Sequence, residues 1–278
     1  MIVSSERISS RQNPLVKWAC SLQDKKGRQA SSSFLAEGVK LTVEAASSGL
    51  EVTHIFVMES RAALYLERLT EAFRDEKYEK TLLTILADDA FAKISTEKGP
   101  QGVISVIKYL DFFNQVDIIY NVDFVFPNNH RVLALCSVRD PQNLGSVIRS
   151  AVAFGVEHIL LSDDCADPYN PKTVRAAMGS LFRVRITRAK DLTQVLTQLK
   201  DVGRRILAAE LRENARSLSE LALLPTDIVV IGNEGHGIDS RISDMASHSV
   251  YIPISVKTES LNAAVAAALF MWEQSKVL

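Results

Sequence analysis

The chain has 278 residues, of which 47% are hydrophobic and 23% are charged, and its formal net charge is -1. This is the composition of a globular protein with one large or two smaller domains; no apolar run approaches the roughly 18 residues of a membrane span, and the first residues lack the apolar core of a signal peptide. Cys20, Cys136 and Cys165 form no CxxC or Cys/His cluster, so we expect reduced thiols, a cytoplasmic protein with no membrane segment, and no metal site.

The first 110 residues alternate between predicted strands and predicted helices. The strands are expected at 34–36, 54–58, 81–86 and 102–109, and the helices at 14–22, 39–48, 61–74 and 90–94. Such alternation predicts a small α/β domain with its own sheet over residues 1–110.

Residues 111–130 interrupt this alternation and show no clean hydrophobic period. The stretch mixes Asn and Asp with five aromatic residues, which are Phe112, Phe113, Tyr120, Phe124 and Phe126. Its end, Pro127-Asn128-Asn129, is typical of a turn. We interpret the stretch as a linker between two domains, with aromatic rings that pack on a domain more readily than they stack on bases.

A second alternation begins at Val132 and continues to the last helix. Strands are expected at 132–138, 158–161, 182–186, 205–209 and 227–231, and helices at 144–154, 171–178, 192–200 and about 261–273. Apolar strands joined through helices by short loops favour a mostly parallel sheet that is covered on both faces. Residues 131–278 are therefore predicted to form a second, larger α/β domain.

Two local basic segments lie on an otherwise neutral chain. Residues 1–28 hold six Lys and Arg side chains against two acids. Residues 171–190 contain no acid, and their basic residues are Lys172, Arg175, Arg183, Arg185, Arg188 and Lys190. Such segments fit contact with nucleic-acid phosphates, or they are simply solvated surface.

The turn at 232–237 follows the apolar strand 227–231 and reads Gly-Asn-Glu-Gly-His-Gly. Its glycines allow positive φ angles and let a ligand approach backbone N–H groups. The order G-x-x-G-x-G, late in the chain, differs from the GxGxxG of dinucleotide-binding folds, which disfavours an NAD-dependent oxidoreductase. The alternative is a tight turn that binds no ligand.

The helix expected at 144–154 carries polar residues among apolar ones. Asn143 lies just before it and is a natural N-cap, and Gly145 lets another backbone approach closely. Because the neighbours of Arg149 on this helix are apolar, we expect its guanidinium to be partly buried, with a phosphate or carboxylate partner. An ordinary salt bridge is the alternative.

Ser260, Leu261 and Asn262 open the apolar helix at the end of the chain. Ser260 is expected to be its N-cap, whereas Asn262 would lie in the first turn, where Asn has a weaker structural reason to be. The helix then carries small residues, Ala263, Ala264, Ala266, Ala267 and Ala268. They permit close helix packing, either inside the domain or across a dimer.

These three motifs, in this order and before this helix, resemble the SPOUT superfamily, specifically the SpoU (TrmH) family of RNA ribose 2'-O-methyltransferases. The family's Asn-x-Gly-x-x-x-Arg motif is matched by Asn143, Gly145 and Arg149. Its Gly-x-Glu-Gly-x-Gly motif is matched by Gly232, Glu234, Gly235 and Gly237, and its third motif by Pro253, Ser260, Leu261 and Asn262. The resemblance covers residues 131–278. The first hundred residues resemble the family's smaller ribosomal-protein-like substrate-binding domain, through residues 34–40 and the strand that follows them.

The resemblance implies a deep trefoil knot in the second domain, with S-adenosylmethionine bound in it. The cofactor would lie against Gly232, Asn233, Gly237, Ile252, Ile254 and Leu261. Arg149 would act on the ribose 2'-OH, Asn143, Ser260 and Asn262 would orient it and the ribose, and Glu234 would hold the site together or touch a partner subunit. The family also implies a homodimer with the active site near its interface.

The predicted reaction is methyl transfer from S-adenosylmethionine to a ribose 2'-OH in structured RNA, with ribosomal RNA favoured over transfer RNA by family analogy. Two alternatives stay open from the sequence. One is a transfer-RNA 2'-O-methyltransferase of the same family, and the other is a non-catalytic RNA-binding protein with the same fold.

Overall fold

The computed structural model describes residues 1–4, 6–111, 113–116, 125–233 and 235–276. It divides into two compact units, of which the first comprises residues 1–110 and 167–182 and the second comprises residues 111–166 and 183–278. Each unit has its own sheet and helices, as the alternation predicts. No helix within the described ranges has the length and apolarity needed to cross a membrane.

The first unit is built on a mixed sheet. Its described strands are β1 (Ile2–Val3), β2 (Ser33–Glu37), β3 (Val52–Met58), β4 (Leu82–Leu86) and β5 (Val103–Lys108). They lie in the order β1-β4-β3-β5-β2, with β1, β4 and β3 parallel and β5 antiparallel to both of its neighbours. The described α-helices are Pro14–Ser21, Lys25–Ser31, Val39–Ser47, Ala62–Ala72, Asp88–Ile94 and Pro171–Ala177.

The second unit is built on a parallel sheet. Its described strands are β6 (Phe113–Val116), β7 (Val132–Leu135), β8 (His158–Ser162), β9 (Arg185–Ala189), β10 (Ile206–Ala209), β11 (Arg216–Ser217), β12 (Ile228–Ile231) and β13 (His248–Tyr251). They lie in the order β11-β13-β10-β12-β7-β8-β9-β6, and every pairing is parallel. The described α-helices are Pro141–Ala153, Leu192–Asp201, Ser240–Met245 and Ala263–Ser275. The prediction of a mostly parallel sheet is confirmed.

Two details of the second unit differ from the sequence-based expectation. Strand β9 begins three residues later than the predicted 182–186, because Ser180–Phe182 forms a short 3-10 helix first. Strand β6 lies inside the stretch predicted to be a linker and pairs with β9 at the sheet edge. Of the aromatic residues in that stretch, Phe126 is fully buried in the core, which confirms packing for this ring; Phe112, Tyr120 and Phe124 lie outside the described residues.

Several basic residues of the two predicted segments serve the fold. In the first unit, buried Arg28 donates to the carbonyl oxygens of Leu22 and Gln23 and, at 2.6 Å, to Asp167 Oδ2. Arg175 forms an ion pair with Glu97. The basic residues of segment 1–28 that are exposed are Arg7, Arg11, Lys17, Lys25 and Lys26.

Arg188, on β9, is a buried cation of the second unit. Only 7% of its surface is exposed. Its Nη1 donates to the carbonyl oxygens of Ser162, Asp163 and Cys165, and its Nη2 donates to that of Ala166, at 2.6–3.2 Å. The guanidinium thus fixes the loop after β8 by satisfying four backbone acceptors at once.

Replacing Arg188 with Met retains a long aliphatic side chain but removes the donor of these four carbonyl groups. We expect the free energy of unfolding to fall by about 2–4 kcal/mol, because buried acceptors are left unsatisfied. Urea denaturation followed by circular dichroism measures it. The control is Arg216→Met at an exposed position, where a change within about 0.5 kcal/mol is expected; equal effects of the two substitutions would contradict the assignment.

His158 links β8 to the core and makes stability depend on pH. Its ring packs on Phe126 with centroids 4.3 Å apart, and its Nε2 lies 2.8 Å from Thr187 Oγ1. Burial, together with nearby positive charge from Arg185 above all, lowers the pKa of His158 from 6.5 to about 3. Between these values the unfolded chain binds a proton that the folded protein does not, so stability falls as the pH drops below 6.5 by up to about 1.4 kcal/mol per pH unit.

We therefore expect His158→Gln to flatten the acid side of the stability profile. Urea midpoints measured at pH 7, 6 and 5 should fall more steeply for the natural protein than for the variant. Parallel profiles for the two proteins would show that His158 titrates alike in the folded and unfolded states.

Candidate active site

The turn at 232–237 is tied to the neighbouring strand end. Because β12 and β7 pair in parallel, their carboxyl ends lie side by side. Asn233 Nδ2 donates to the carbonyl oxygen of Ser137 at 3.0 Å, while Asn233 Oδ1 accepts from the backbone N–H groups of Gly235 and His236. Asn233 and Gly237 also exchange two backbone hydrogen bonds of 2.9 and 3.0 Å. The turn is therefore a closed, anchored structure.

Glycine is required at the start of this turn. A Cβ atom at Gly232 would lie 2.5 Å from both the carbonyl carbon and the carbonyl oxygen of Gly237. At Gly235 the nearest atom to an added Cβ would be Asn233 Oδ1, at 3.4 Å. The backbone of Gly237 has a φ of 68°, which glycine adopts without strain. Gly232 is thus required for steric reasons, and the conformation of Gly237 favours glycine.

A cavity of about 430 Å³ lies between this turn, the end of β13 and the helix Ala263–Ser275. All six residues predicted to bind the cofactor line it: Gly232, Asn233, Gly237, Ile252, Ile254 and Leu261. Ser260, predicted to be catalytic, lines it as well. The volume is within the range of small-molecule sites, and the position at the carboxyl ends of parallel strands is where α/β folds bind ligands.

The rest of the lining is apolar with a few fixed polar groups. Its apolar part includes Ile231, Ile238, Val250 and Phe270, and its polar side chains include Glu210, His236 and Tyr251. Glu210 is held in place because its two carboxylate oxygens accept from Ser249 Oγ and Ser243 Oγ, each at 2.8 Å. An apolar slot with one fixed carboxylate fits an aromatic ring joined to a cationic group, as in S-adenosylmethionine.

Asn143 and Asn262 are brought together from 119 positions apart in the chain. Asn262 Nδ2 donates to Asn143 Oδ1 at 2.9 Å. This contact lies where the helices Pro141–Ala153 and Ala263–Ser275 pack against each other. Two of the five predicted catalytic residues therefore form a direct pair at the N-terminal ends of two helices.

Both helix caps differ from the prediction. The N-cap of Pro141–Ala153 is Asp140, whose Oδ1 accepts from the N–H groups of Gln142 and Asn143 at 2.7 and 2.9 Å. Asn143 therefore lies in the first turn, with its side chain available to Asn262. The last helix is capped by Asn262, whose Oδ1 accepts from Ala264 and Val265, so Ser260 is not its cap.

The new cap assignment can be tested by comparing two substitutions. Asn262→Ala should lower the free energy of unfolding by about 1 kcal/mol, because it removes an N-cap. Ser260→Ala, at an exposed position two residues earlier, should change it by less than about 0.5 kcal/mol. Urea denaturation measures the free energy of unfolding of both variants. A larger loss for Ser260→Ala than for Asn262→Ala would show that Ser260 is the cap.

Of the other two predicted catalytic residues, the structure describes only Arg149. Arg149 is exposed on Pro141–Ala153, so the expectation that it is partly buried is wrong: the apolar residues of this helix face the core, and Arg149 lies on its solvent side. It is not among the described residues that line the cavity. Glu234 lies outside the described residues.

Sequence reasoning missed some residues of the site. Asp140 was signalled by the Asp-Pro pair, since an N-cap residue followed by proline is a common helix start. Glu210 and Tyr251 line the cavity but belong to no recognisable motif. Within the described ranges no cluster of three or more His, Cys, Asp or Glu side chains is arranged to hold a metal ion.

Comparison with known proteins agrees with this geometry. Residues 130–272 match the model of the SpoU rRNA Methylase family, and residues 13–105 match an MRM3-like substrate binding domain. The 23S rRNA (guanosine(2553)-2'-O)-methyltransferase RlmP of Bacillus subtilis is 30% identical over 268 residues, which are 96% of this chain and 98% of that protein.

Solved structures similar to this chain include further RNA methyltransferases. The AdoMet-bound rRNA methyltransferase from Sinorhizobium meliloti has a TM-score of 0.82 at 26% identity, covering 99% of this chain and 98% of that one. An RNA 2'-O ribose methyltransferase has a TM-score of 0.78 at 25% identity, covering 98% and 99%.

The parallel sheet, with its motif-lined cavity at the strand ends, defines an RNA methyltransferase that uses S-adenosylmethionine. The chain belongs to the SpoU rRNA methylase family.

Proposed function

We propose that this protein transfers a methyl group from S-adenosylmethionine to a ribose 2'-OH of structured ribosomal RNA. The observation that carries the proposal is the single cavity that gathers all six predicted cofactor residues, next to the Asn143–Asn262 pair. The name of RlmP, a ribosomal-RNA 2'-O-methyltransferase similar over nearly the whole chain, supports the choice of ribosomal over transfer RNA.

The chain's own residues would perform positioning and charge stabilisation. S-adenosylmethionine supplies the electrophilic methyl group. The Asn143 and Asn262 amides, which hold each other at 2.9 Å, would orient the ribose together with Ser260. Arg149 would stabilise the negative charge that develops on the 2' oxygen. Because an arginine is a reluctant base, the proton would pass to an RNA phosphate or to water. Glu234 would hold the site together or contact a partner subunit.

The proposal divides the chain by role. Residues 1–110 would bind the RNA substrate, residues 111–130 would link the two parts, and residues 131–278 would carry the methyltransferase site. The match of residues 13–105 to a substrate-binding domain supports this division. The exposed cations Arg11, Lys17, Lys25 and Lys26 suit phosphate contact. Free cysteines suit a cytoplasmic location.

We also propose a homodimer formed through the last helix. Its alanines Ala263, Ala264 and Ala267 are buried within the unit, so the small-residue face packs inside the domain. On the opposite side, Val265, Leu269 and Trp272 are 48%, 37% and 51% exposed and follow one another at helical spacing. An exposed apolar stripe of this kind favours protein–protein contact. Leu269→Lys should give a monomer by sedimentation, whereas a monomeric natural protein would contradict the proposal.

A trefoil knot is part of the same proposal. Strand β13 is separated from β7 by β10 and β12, yet the helix after β13 packs on the helix after β7. A chain that returns across the sheet in this way fits a knotted path. A crystal structure in which the chain path of the second unit is unknotted would contradict the proposal.

The decisive experiment has two arms. Isothermal titration with S-adenosylmethionine and with NAD should give binding of the first only. Transfer of tritiated methyl groups to ribosomal and transfer RNA from cells lacking the gene, followed by mapping of 2'-O-methyl sites, identifies the substrate. If S-adenosylmethionine does not bind, the proposal that the protein is a methyltransferase is wrong. If the protein binds cofactor and RNA but transfers no methyl group, it is a non-catalytic RNA-binding protein.

A further inference from the structure

A second cavity, of about 730 Å³, lies beside the cofactor cavity in the second unit. It is at the carboxyl ends of β7, β8, β9 and β12, the usual ligand-binding edge of a parallel sheet. His236, Gly237 and Ile238 line both cavities, so one turn of chain separates them. A ligand in the second cavity would therefore lie close to the cofactor without overlapping it.

Arg139 forms one wall of this cavity, and hydrogen bonds hold its side chain in place. Ser137 N–H donates to Ser162 Oγ at 2.8 Å, and Ser162 Oγ donates to Asp164 Oδ1 at 2.7 Å. Asp164 Oδ2 accepts from Arg139 through Nη2 at 2.7 Å and Nε at 3.2 Å. The two contacts to one oxygen anchor one edge of the guanidinium, while the Arg139 side chain stays 60% exposed.

Two further observations indicate that the residues around Arg139 have a functional role. Ser137 has a φ of 59°, a left-handed conformation that costs a non-glycine residue about 1 kcal/mol or more and often occurs at functional sites. Burial raises the pKa of Asp164, but hydrogen bonds from Ser162, Arg139 and Ser137 outweigh it and lower the pKa to about 2. The carboxylate therefore stays charged and keeps Arg139 in place.

The charges of the cavity disfavour a phosphate ligand. Its lining includes three cations, Arg139, Lys190 and Arg241, against four carboxylates, Asp163, Asp164, Asp191 and Asp239. Arg241 is already paired with Asp239 at 2.8 Å and lies 3.7 Å from Asp191. A wall of fixed donors and acceptors without excess positive charge suits a planar polar group, and unpaired bases stack on guanidinium planes in this way.

We propose that this second cavity binds an unpaired base of the RNA substrate that flanks the methylated nucleotide, stacked on the face of Arg139. The inference rests on the proposed RNA methyltransferase function and adds to it a specificity site. Asp164, Ser162 and the left-handed Ser137 act as positioning residues for Arg139. The carboxylates around the cavity offer acceptors for the base edge.

The test compares Arg139→Lys with Arg139→Gln. Lysine keeps the positive charge but lacks the planar guanidinium. The probe is a fluorescent, unstructured 12-nucleotide RNA, with an abasic strand of the same length as its matched control. We expect both variants to bind the base-containing RNA roughly five-fold or more weakly, and the abasic strand as the natural protein does. Both should bind S-adenosylmethionine normally.

Two outcomes would overturn the inference. The first is that Arg139→Lys binds both strands like the natural protein, or that Arg139→Gln binds both strands equally more weakly. Either result would mean that Arg139 acts through its charge on phosphate and not by stacking on a base. A second readout is crosslinking of a 4-thiouridine RNA, which should label the peptide that contains Arg139; labelling confined to other peptides would also overturn it. The proposed function fails separately, if the natural protein transfers no methyl group to ribosomal RNA.

Discussion

Replacing Arg149 with Ala should lower the rate of methyl transfer by at least about 100-fold while the protein stays folded. An arginine that stabilises charge only in the transition state contributes about this much. Because Arg149 is exposed, its loss should change the free energy of unfolding by less than about 0.5 kcal/mol. Because it is not among the described residues that line the cofactor cavity, affinity for S-adenosylmethionine should be unchanged. Single-turnover transfer of tritiated methyl groups measures the rate.

The matched control is Arg216→Ala, which removes another exposed cation of the second unit. It should transfer methyl groups at the natural rate. A second comparison, Arg149→Lys, keeps the charge without the planar donor set and should recover only part of the activity. If Arg149→Ala transferred methyl groups nearly as fast as the natural protein, the catalytic assignment of Arg149 would be wrong.

Gly232→Ala should weaken cofactor binding and destabilise the fold. The added methyl group would lie 2.5 Å from the backbone carbonyl of Gly237, and backbone on both sides of a closed turn cannot yield without breaking its hydrogen bonds. Overpacking of this kind costs about 1–3 kcal/mol. We expect affinity for S-adenosylmethionine to fall more than about ten-fold, because relief of the clash would displace Gly237, which lines the cavity. Isothermal titration and urea denaturation measure the two effects.

Gly235→Ala is the control in the same turn. Its added methyl group would meet Asn233 Oδ1 at 3.4 Å, an ordinary contact distance. Affinity and stability should both stay close to the natural values. If Gly232→Ala and Gly235→Ala behaved alike, the steric role of Gly232 would be refuted.

The residues that line the 430 Å³ cavity could be predicted to lie together because most of them follow strands. Turn 232–237 and residues 252–261 come directly after β12 and β13, and parallel strands place their carboxyl ends along one edge. The resemblance to the SpoU family then indicated which residues share the cavity. Glu210 and Tyr251 line the same cavity, but a glutamate and a tyrosine at strand ends have many ordinary roles.

The helix starts were harder because each lies in a run of several good caps. Asp140 competes with Asn143, and Ser260 competes with Asn262, for the same first-turn N–H groups. Local preference does not separate such neighbours; the contact between Asn143 and Asn262 depends on how two helices pack. The exposure of Arg149 likewise depends on which side of its helix meets the sheet. Strand β6, at the sheet edge, has only four residues, too few to show a hydrophobic period.

The pairing of Asn143 with Asn262 also sets the timing of assembly. During synthesis the ribosome releases Asn143 119 residues before its partner, and the cavity wall is completed only by Phe270. A growing chain therefore carries Asn143 through the synthesis of 119 further residues before its partner Asn262 is made. The cavity would therefore be complete only after Phe270 has been made and has packed against it.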